Sequence, residues 1–284
     1  MASPPAVTVG SYWVNDYEKP PNCGDGLYKQ TKFCDDLADG FAGAMRARRH
    51  RVTVRRTEGA ASPRQWIAPT DRDPGGVDTV DFAFLATHGG THGQQRNGVW
   101  VHWVNATFNS TDGCVVSSAN LPPPPAGPTA LMLLGDGALR WVVLDLCRGL
   151  QVGLVNEEFR RDNETEFEAA SRRAVLSETH PGRTWARCFG GVHIMFGFTG
   201  LSSDARWTSN RGKMFGRWAA AGDALAEAWL EEAHSSVCDD APVAAAWGRS
   251  EADAMRRLKG ESLADPEETL ARADVRGAAA IWRS

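Results

Sequence analysis

The chain has 284 residues, which is enough for one large domain or two smaller ones. Its net charge of −4 is spread over interspersed acids and bases, so it carries neither the basic field of a nucleic-acid-binding protein nor an acidic tail. No apolar run approaches the roughly eighteen residues of a membrane span. The first residues also lack the basic segment and long apolar run of a signal peptide. We therefore expect a cytoplasmic protein that binds no nucleic acid and no membrane.

The six cysteines show no paired spacing of the C-x-x-C type, so the sequence predicts no metal site built from them. Cysteines in a reducing compartment persist as thiols. We expect thiols at all six positions, which are Cys23, Cys34, Cys114, Cys147, Cys188 and Cys238.

The first half of the chain alternates strand-type and helix-type patterns. Helical spacing of apolar residues, with acids in front and arginines behind, predicts a helix over Asp35–Arg48. Runs rich in β-branched and aromatic residues predict strands. These strands are expected at Ala6–Val14, His50–Arg55, Val77–Thr87 and Asn97–Asn105.

The second half follows a proline-rich loop at Ser118–Pro128. Buried strands are predicted at Leu139–Leu146 and Cys188–Thr199. Amphipathic spacing predicts a long helix over Gly212–His234. Shorter helices are expected at Thr129–Leu134, at Asn156–Ser177 and, once or twice, after Asp240.

This order of elements predicts an α/β fold with three layers, in which a mostly parallel sheet is flanked by helices. The proline-rich loop is expected to be an insertion, because strand-type sequence resumes directly after it. We expect one domain over residues 1–240 and a helical C-terminal extension over residues 241–284 that packs on it.

Two of the predicted strands end in residues capable of chemistry, T-H-G-G at His88 and D-L-C-R-G at Cys147. If these strands are adjacent and parallel, both ends meet at one edge of the sheet, where open α/β folds bind ligands. There the His88 imidazole could take the proton of the Cys147 thiol, and an imidazolium–thiolate pair would lower the pKa of that thiol. The N–H groups of Gly89 and Cys147 could then stabilise an oxyanion.

This pair resembles the caspase-like cysteine peptidases, a group that includes caspases, metacaspases, legumains, gingipains, clostripain and separase. In that fold one strand ends in His-Gly and the next core strand ends just before the cysteine, as His88-Gly89 and Asp145-Leu146-Cys147 do here. The likeness covers roughly residues 6–236 and implies a caspase-like fold. The stretches W-V-N-D-Y and G-V-H-I-M-F-G-F-T match no characterised peptidase and favour a poorly characterised bacterial group.

The resemblance also implies roles for single residues. Cys147 would be the nucleophile, His88 the general acid and base, and the Gly89 N–H part of the oxyanion hole. In metacaspases and clostripain an aspartate two residues before the cysteine helps bind a basic side chain, so Asp145 implies cleavage after Arg or Lys. The alternative for Asp145 is a structural role, in which it caps the strand end or holds Arg148 or another base.

Residues after the histidine add candidate substrate contacts. Gly90 lets the backbone approach a ligand closely, and His92 is expected in the same loop. A minor alternative is a zinc-dependent hydrolase, with His88 and His92 as ligands together with Cys147 or His193. For His193, which lies among apolar residues, a hydrogen-bonded place in the core is the better interpretation.

The sequence thus predicts a cysteine hydrolase that needs no cofactor and acts on a peptide, a protein or a small amide. The same dyad could instead serve acyl transfer or cyclisation. A catalytically idle caspase-like module used for binding is a further alternative, although an idle module has no need of both His88 and Cys147. The oligomeric state leaves no signal in the sequence.

Overall fold

The structure is a computed structural model that describes residues 6–21, 23, 30–67, 76–96, 99–118, 130–150, 184–185, 188, 190–235, 240–265 and 270–283. Its strands are β1 (Thr8–Trp13), β2 (Arg51–Thr57), β3 (Phe82–Ala86), β4 (Gly89–Arg96), β5 (Val99–Ser110), β6 (Gly113–Ser117), β7 (Ala130–Leu131), β8 (Trp141–Asp145), β9 (Ile194–Phe198), β10 (Pro242–Gly248) and β11 (Gly277–Trp282). Its helices are α1 (Cys34–Ala47), α2 (Arg211–Ala221), α3 (Leu225–Ala233) and α4 (Glu251–Gly260).

Seven strands form one sheet in the order β2-β1-β3-β8-β9-β10-β11. The strands from β2 to β9 are mutually parallel, and β10 is antiparallel to both of its neighbours. The predicted α/β class and mostly parallel sheet are therefore confirmed. This order places β3 beside β8, the strands that precede His88 and Cys147.

Residues along the central strands alternate between two apolar cores, one on each face of the large sheet. On β8, Trp141 and Val143 pack on the face that carries helices, whereas Val142 and Leu144 pack on the other face. All four described helices contribute to the first core. The opposite face is covered by a second sheet, β4-β5-β6-β7, and by loops. Within the described residues, the flanking helices that the sequence predicts thus lie on one face only.

The second sheet begins directly after His88. β4 starts at Gly89 and pairs antiparallel with β5, so the loop predicted for the residues after His88 is wrong. The strand predicted at Asn97–Asn105 overlaps β5 from Val99 onward, and its first two residues lie outside the described residues. The helix predicted at Thr129–Leu134 is also wrong, because Ala130–Leu131 forms a short strand beside β6.

The C-terminal segment completes the large sheet, so the prediction that it is purely helical is wrong. β10 carries V-A-A-A-W and is buried on both faces, and β11 pairs with it. The alanine run predicts a helix by propensity, but tertiary packing overrides propensity here. Ala244 and Ala246 contribute to the helix-side core and Ala245 to the other. One helix of the expected kind, α4, connects the two strands.

The helix predicted over Gly212–His234 is two helices, α2 and α3. Gly222 ends α2 with a φ of 96°, a left-handed conformation that glycine adopts without steric penalty.

The predicted first helix and first two strands are confirmed by α1, β1 and β2. The helix expected at Asn156–Ser177 and most of the proline-rich loop lie outside the described residues. None of the four described helices combines the length and apolar character needed to span a bilayer.

A disulfide joins Cys23, in the segment after β1, to Cys114 on β6. The expectation of six thiols is wrong for this pair, because the fold brings their Cα atoms to 5.2 Å, within the range that a disulfide bridges. The bond closes a loop of 91 residues and links the large sheet's first connection to the second sheet. The free cysteines are Cys34, Cys147 and Cys188, and Cys238 lies outside the described residues.

Replacing both Cys23 and Cys114 with serine should lower the free energy of unfolding by about 2–4 kcal/mol, because the unfolded chain regains the freedom of a long loop. Urea denaturation measures this loss. The wild-type protein treated with dithiothreitol should lose a similar amount, and the double variant should not respond to the reductant. A wild-type protein whose stability is indifferent to reduction would contradict the disulfide.

Candidate active site

His88 and Cys147 leave the large sheet at the same register. Ala86 on β3 pairs with Asp145 on β8, and each candidate catalytic residue lies two positions beyond this pair. The Thr87 N–H donates to the Asp145 carbonyl at 3.2 Å, which extends the pairing toward both residues. Neighbouring strands lie about 4.8 Å apart. The prediction that these two strands are adjacent and parallel is therefore confirmed.

Tyr17 holds the main chain of His88. The His88 N–H donates to the Tyr17 hydroxyl at 3.0 Å, and the two rings pack with centroids 5.0 Å apart. The same hydroxyl lies 2.5 Å from Thr87 Oγ1 and donates to the Thr107 carbonyl at 3.3 Å. Burial raises the pKa of Tyr17, so the phenol stays protonated. Sequence reasoning missed Tyr17, because it lies in a segment whose prolines and glycines predict only a loop.

The Cys147 thiol is partly buried against the loop that follows β9. The Ser202 N–H donates to Cys147 Sγ at 3.5 Å, and Sγ lies 3.8 Å from the Ser202 carbonyl oxygen. Burial raises the pKa of Cys147, and the nearby Asp145 and Asp240 carboxylates raise it further, against the lowering effect of the Ser202 N–H. The pKa of this thiol is therefore shifted upward, opposite to the lowering that an imidazolium–thiolate pair with His88 would produce.

The turn after Cys147 has a constrained backbone. Arg148 adopts a φ of 54°, in the left-handed region that few non-glycine residues occupy. Its N–H donates to the Gly200 carbonyl at 2.7 Å, which fixes the turn to the loop after β9. That loop is held in turn by Asp204, whose oxygens accept the N–H groups of Lys32 and Phe33 at 2.6 and 2.9 Å. The turn after Cys147 is thus anchored to the start of α1 through one loop.

Asp145 is engaged by an internal arginine. Arg211, at the start of α2, donates from Nε to Asp145 Oδ2 at 2.8 Å and from Nη2 to Oδ1 at 2.5 Å. Its Nη1 donates to Asp240 at 3.0 Å, and the Ser202 hydroxyl donates to Asp145 at 2.5 Å. Asp145 is 3% exposed and Asp240 1%. Asp145 therefore holds another base, as in the structural alternative, and the partners of its two oxygens do not favour a contact with a basic substrate side chain.

The glycines after His88 differ in what surrounds them. A Cβ at Gly89 would lie 2.5 Å from the Asn105 carbonyl oxygen and 2.7 Å from the Leu146 side chain, so only glycine fits there. Because Thr107 N–H donates to the His88 carbonyl, the alternation of an antiparallel pair directs the Gly89 N–H away from β5. At Gly90 a Cβ would meet nothing within 4 Å, so open space lies above that residue.

The other two candidate histidines, His92 and His193, lie away from His88 and Cys147 along the chain's strands. His92 lies on β4, about 13 Å along an extended strand from His88, so the two do not form a close pair. His193 precedes β9 at the opposite edge of the sheet from Cys147, which excludes it from a shared metal site. It is 3% exposed and bonded to Glu261 at 2.8 Å, which confirms its place in the core. No group of three or more potential metal ligands occurs among the described residues.

Arg211→Met should lower the free energy of unfolding by about 3–5 kcal/mol, because it leaves Asp145 and Asp240 buried without their cation. Urea denaturation at neutral pH measures the loss. Arg217→Met, on the exposed side of the same helix, should change stability by less than about 0.5 kcal/mol. Equal losses in the two variants would contradict the central place of the Arg211 cluster.

The comparison with known proteins supplies a family but no activity. No curated protein matches the chain. One family model matches residues 11–261, a range that begins within β1, ends before β11 and includes all residues of the candidate site. Because this match covers most of the chain, the protein belongs to the family described as Domain of unknown function (DUF6345).

Proposed function

We propose that the protein is a cysteine hydrolase of the peptidase type, with Cys147 as nucleophile and His88 as general acid and base. The observation that carries the proposal is the shared register of the two residues, each two positions beyond the Ala86–Asp145 pair of adjacent parallel strands. A thiol and an imidazole at one sheet edge are the parts that acyl chemistry requires. The strand order also supports the caspase-like resemblance, in which a His-Gly strand neighbours the strand before the cysteine.

The reaction begins from a neutral thiol. As Cys147 Sγ attacks the substrate carbonyl carbon, His88 takes the thiol proton and the carbonyl oxygen becomes an oxyanion. The N–H groups of Gly89 and Cys147 are the proposed donors to that oxyanion. His88 then gives its proton to the leaving amine, and a thioester with Cys147 remains.

Water completes the cycle. His88 takes a proton from a water molecule as that water attacks the thioester carbonyl. Collapse of the second tetrahedral intermediate returns the proton to Cys147 Sγ and releases a carboxylic acid. If an amine attacks in place of water, the same steps give acyl transfer or cyclisation, which is the alternative reaction for this dyad.

Cleavage after Arg or Lys is not part of the proposal. It depended on Asp145, whose oxygens are occupied by Arg211 and Ser202. The cytoplasmic location that the sequence predicts is also weakened, because disulfides such as Cys23–Cys114 persist mainly in oxidising compartments.

A non-catalytic binding module is the second candidate. It is favoured by the raised pKa of Cys147 and by the contacts of its sulfur with the Ser202 main chain, since both suit a structural thiol. The two candidates differ in whether His88 influences the chemistry of Cys147.

Iodoacetamide at neutral pH should label Cys147 ahead of Cys34 and Cys188, which are buried. His88→Ala should slow the labelling of Cys147 at least tenfold, because the thiol then lacks its base. His234→Ala is the matched control and should leave the rate unchanged. Peptide mass spectrometry follows each site over time. Labelling of Cys147 at the wild-type rate in His88→Ala would favour the binding module.

The labelling rate of Cys147 should keep rising as the pH passes about 8.5, the ordinary pKa of a thiol. Only the thiolate reacts, and burial raises the pKa of this group, so the reactive form gains population at more alkaline pH. The rate measured from pH 6 to pH 10 tests this. A plateau already reached below pH 7 would contradict a neutral resting thiol and indicate a preformed ion pair.

A further inference from the structure

A cavity of about 280 Å³ lies in the groove between α1 and α2, and cationic side chains line it. They are Arg48, at the end of α1, and Lys213 and Arg217, which lie four residues apart on α2. Among the described residues that line the cavity there is no acid. All three cationic residues are exposed, so a molecule in solution can reach them.

The positive charge at this cavity is not balanced by neighbouring carboxylates. Within the described part of the chain, the ion pairs include none of Arg48, Lys213 and Arg217. By contrast, Arg55 on β2 pairs with Asp39 of α1. The chain as a whole carries a net charge of −4, so the cavity departs from the average of the molecule. A bound anion would relieve the mutual repulsion of the three cations.

Helix stability does not account for the two cations on α2. Lys213 lies in the first turn of this helix, a turn that contains no acidic residue. The N-terminal end of a helix carries positive partial charge, so a cation there is unfavourable. Arg217 follows one turn later on the same face, where two like charges repel each other. Of the three cations, only Arg48 lies at a helix end that favours it.

The floor of the cavity consists of the small residues Gly43, Ala44 and Ala47. A Cβ at Gly43 would meet nothing within 4 Å, so close packing does not require glycine there. Gly40 and Gly216 differ, because a Cβ at either would lie 3.2 or 3.0 Å from a residue of the facing helix. Glycine inside a helix is destabilising relative to alanine. Gly43 therefore weakens α1 and leaves the cavity open.

We propose that this cavity binds a small soluble molecule through a phosphate or diphosphate group held between Arg48, Lys213 and Arg217. One carboxylate would leave most of the positive charge unbalanced, whereas a phosphate ester carries about −1.5 to −2 at pH 7. Arginine binds phosphate oxygens in pairs, and lysine adds a point charge. Ligand pockets begin at about 300 Å³, so this volume suits one such group with a small organic part. The inference goes beyond the proposed hydrolase activity and does not depend on it.

Isothermal titration calorimetry of the full chain with inorganic diphosphate, at roughly physiological ionic strength, tests the proposal. The wild-type protein should bind one equivalent. Lys213→Met and Arg217→Met should each weaken binding about tenfold or more, because each removes charged hydrogen-bond donors. Lys259→Met is the matched control, since Lys259 is exposed on α4, and it should bind as the wild type does.

Gly43→Glu separates binding from folding. The new carboxylate would lie beside the cations and take the place of the anion, so diphosphate binding should be abolished. Stability should stay unchanged or rise, because glutamate is a better helix former than glycine and gains ionic partners. Urea denaturation of each variant measures this.

A wild-type protein that binds no diphosphate would overturn the inference, and so would Lys213→Met and Arg217→Met variants that bind it unchanged. An equal loss in Lys259→Met would also do so, because binding would then follow net charge alone. Phosphatidylserine vesicles and a single-stranded RNA are the two further probes. If either binds through Lys213 and Arg217 while diphosphate does not, the groove is a macromolecular surface and the small-molecule site is wrong.

Discussion

The parallel pairing of β3 with β8 decides where the candidate chemistry of this protein can occur. Both strands are buried on both faces, so their register is held by side chains in two cores at once. A slip of either strand by one residue would move its large side chain, Phe84 on β3 or Trp141 on β8, out of the helix-side core to the opposite face. Because the register is fixed in this way, the residues that follow Ala86 and Asp145 leave the sheet at the same edge, which brings the chain at His88 and at Cys147 to that edge without any local motif that joins them.

The Arg211 cluster joins three segments at this edge through buried ion pairs. Two buried carboxylates, from β8 and from the segment before β10, share one guanidinium at the start of α2. Ser202 connects this cluster to the thiol, since its hydroxyl bonds Asp145 and its N–H bonds Cys147 Sγ. The same carboxylates help to raise the pKa of Cys147, so the cluster that fixes the turn at Cys147 also disfavours its thiolate. If Cys147 acts as proposed, His88 must take its proton during the reaction.

Patterns local to one segment could be predicted from the sequence, and contacts between distant segments could not. The apolar run Trp141–Leu144 is typical of a strand buried on both faces, and it is one. The alanines of β10 predict a helix, because propensity carries no information about the strands on either side. Asp145 illustrates the same limit at the site. Its place before the cysteine suggested a specificity residue, but its partner Arg211 lies 66 residues away and carries no signal that links the two.

The distance between Cys147 Sγ and the nearest imidazole nitrogen of His88, in a crystal structure of the full chain, tests the central claim most directly. We expect a separation of roughly 3–4 Å, or a longer gap that a single water molecule bridges, because proton transfer needs hydrogen-bond reach. The hydrogen-bond geometry is often looser before substrate binds. A separation beyond roughly 6 Å, too long for one water to bridge, would contradict the dyad.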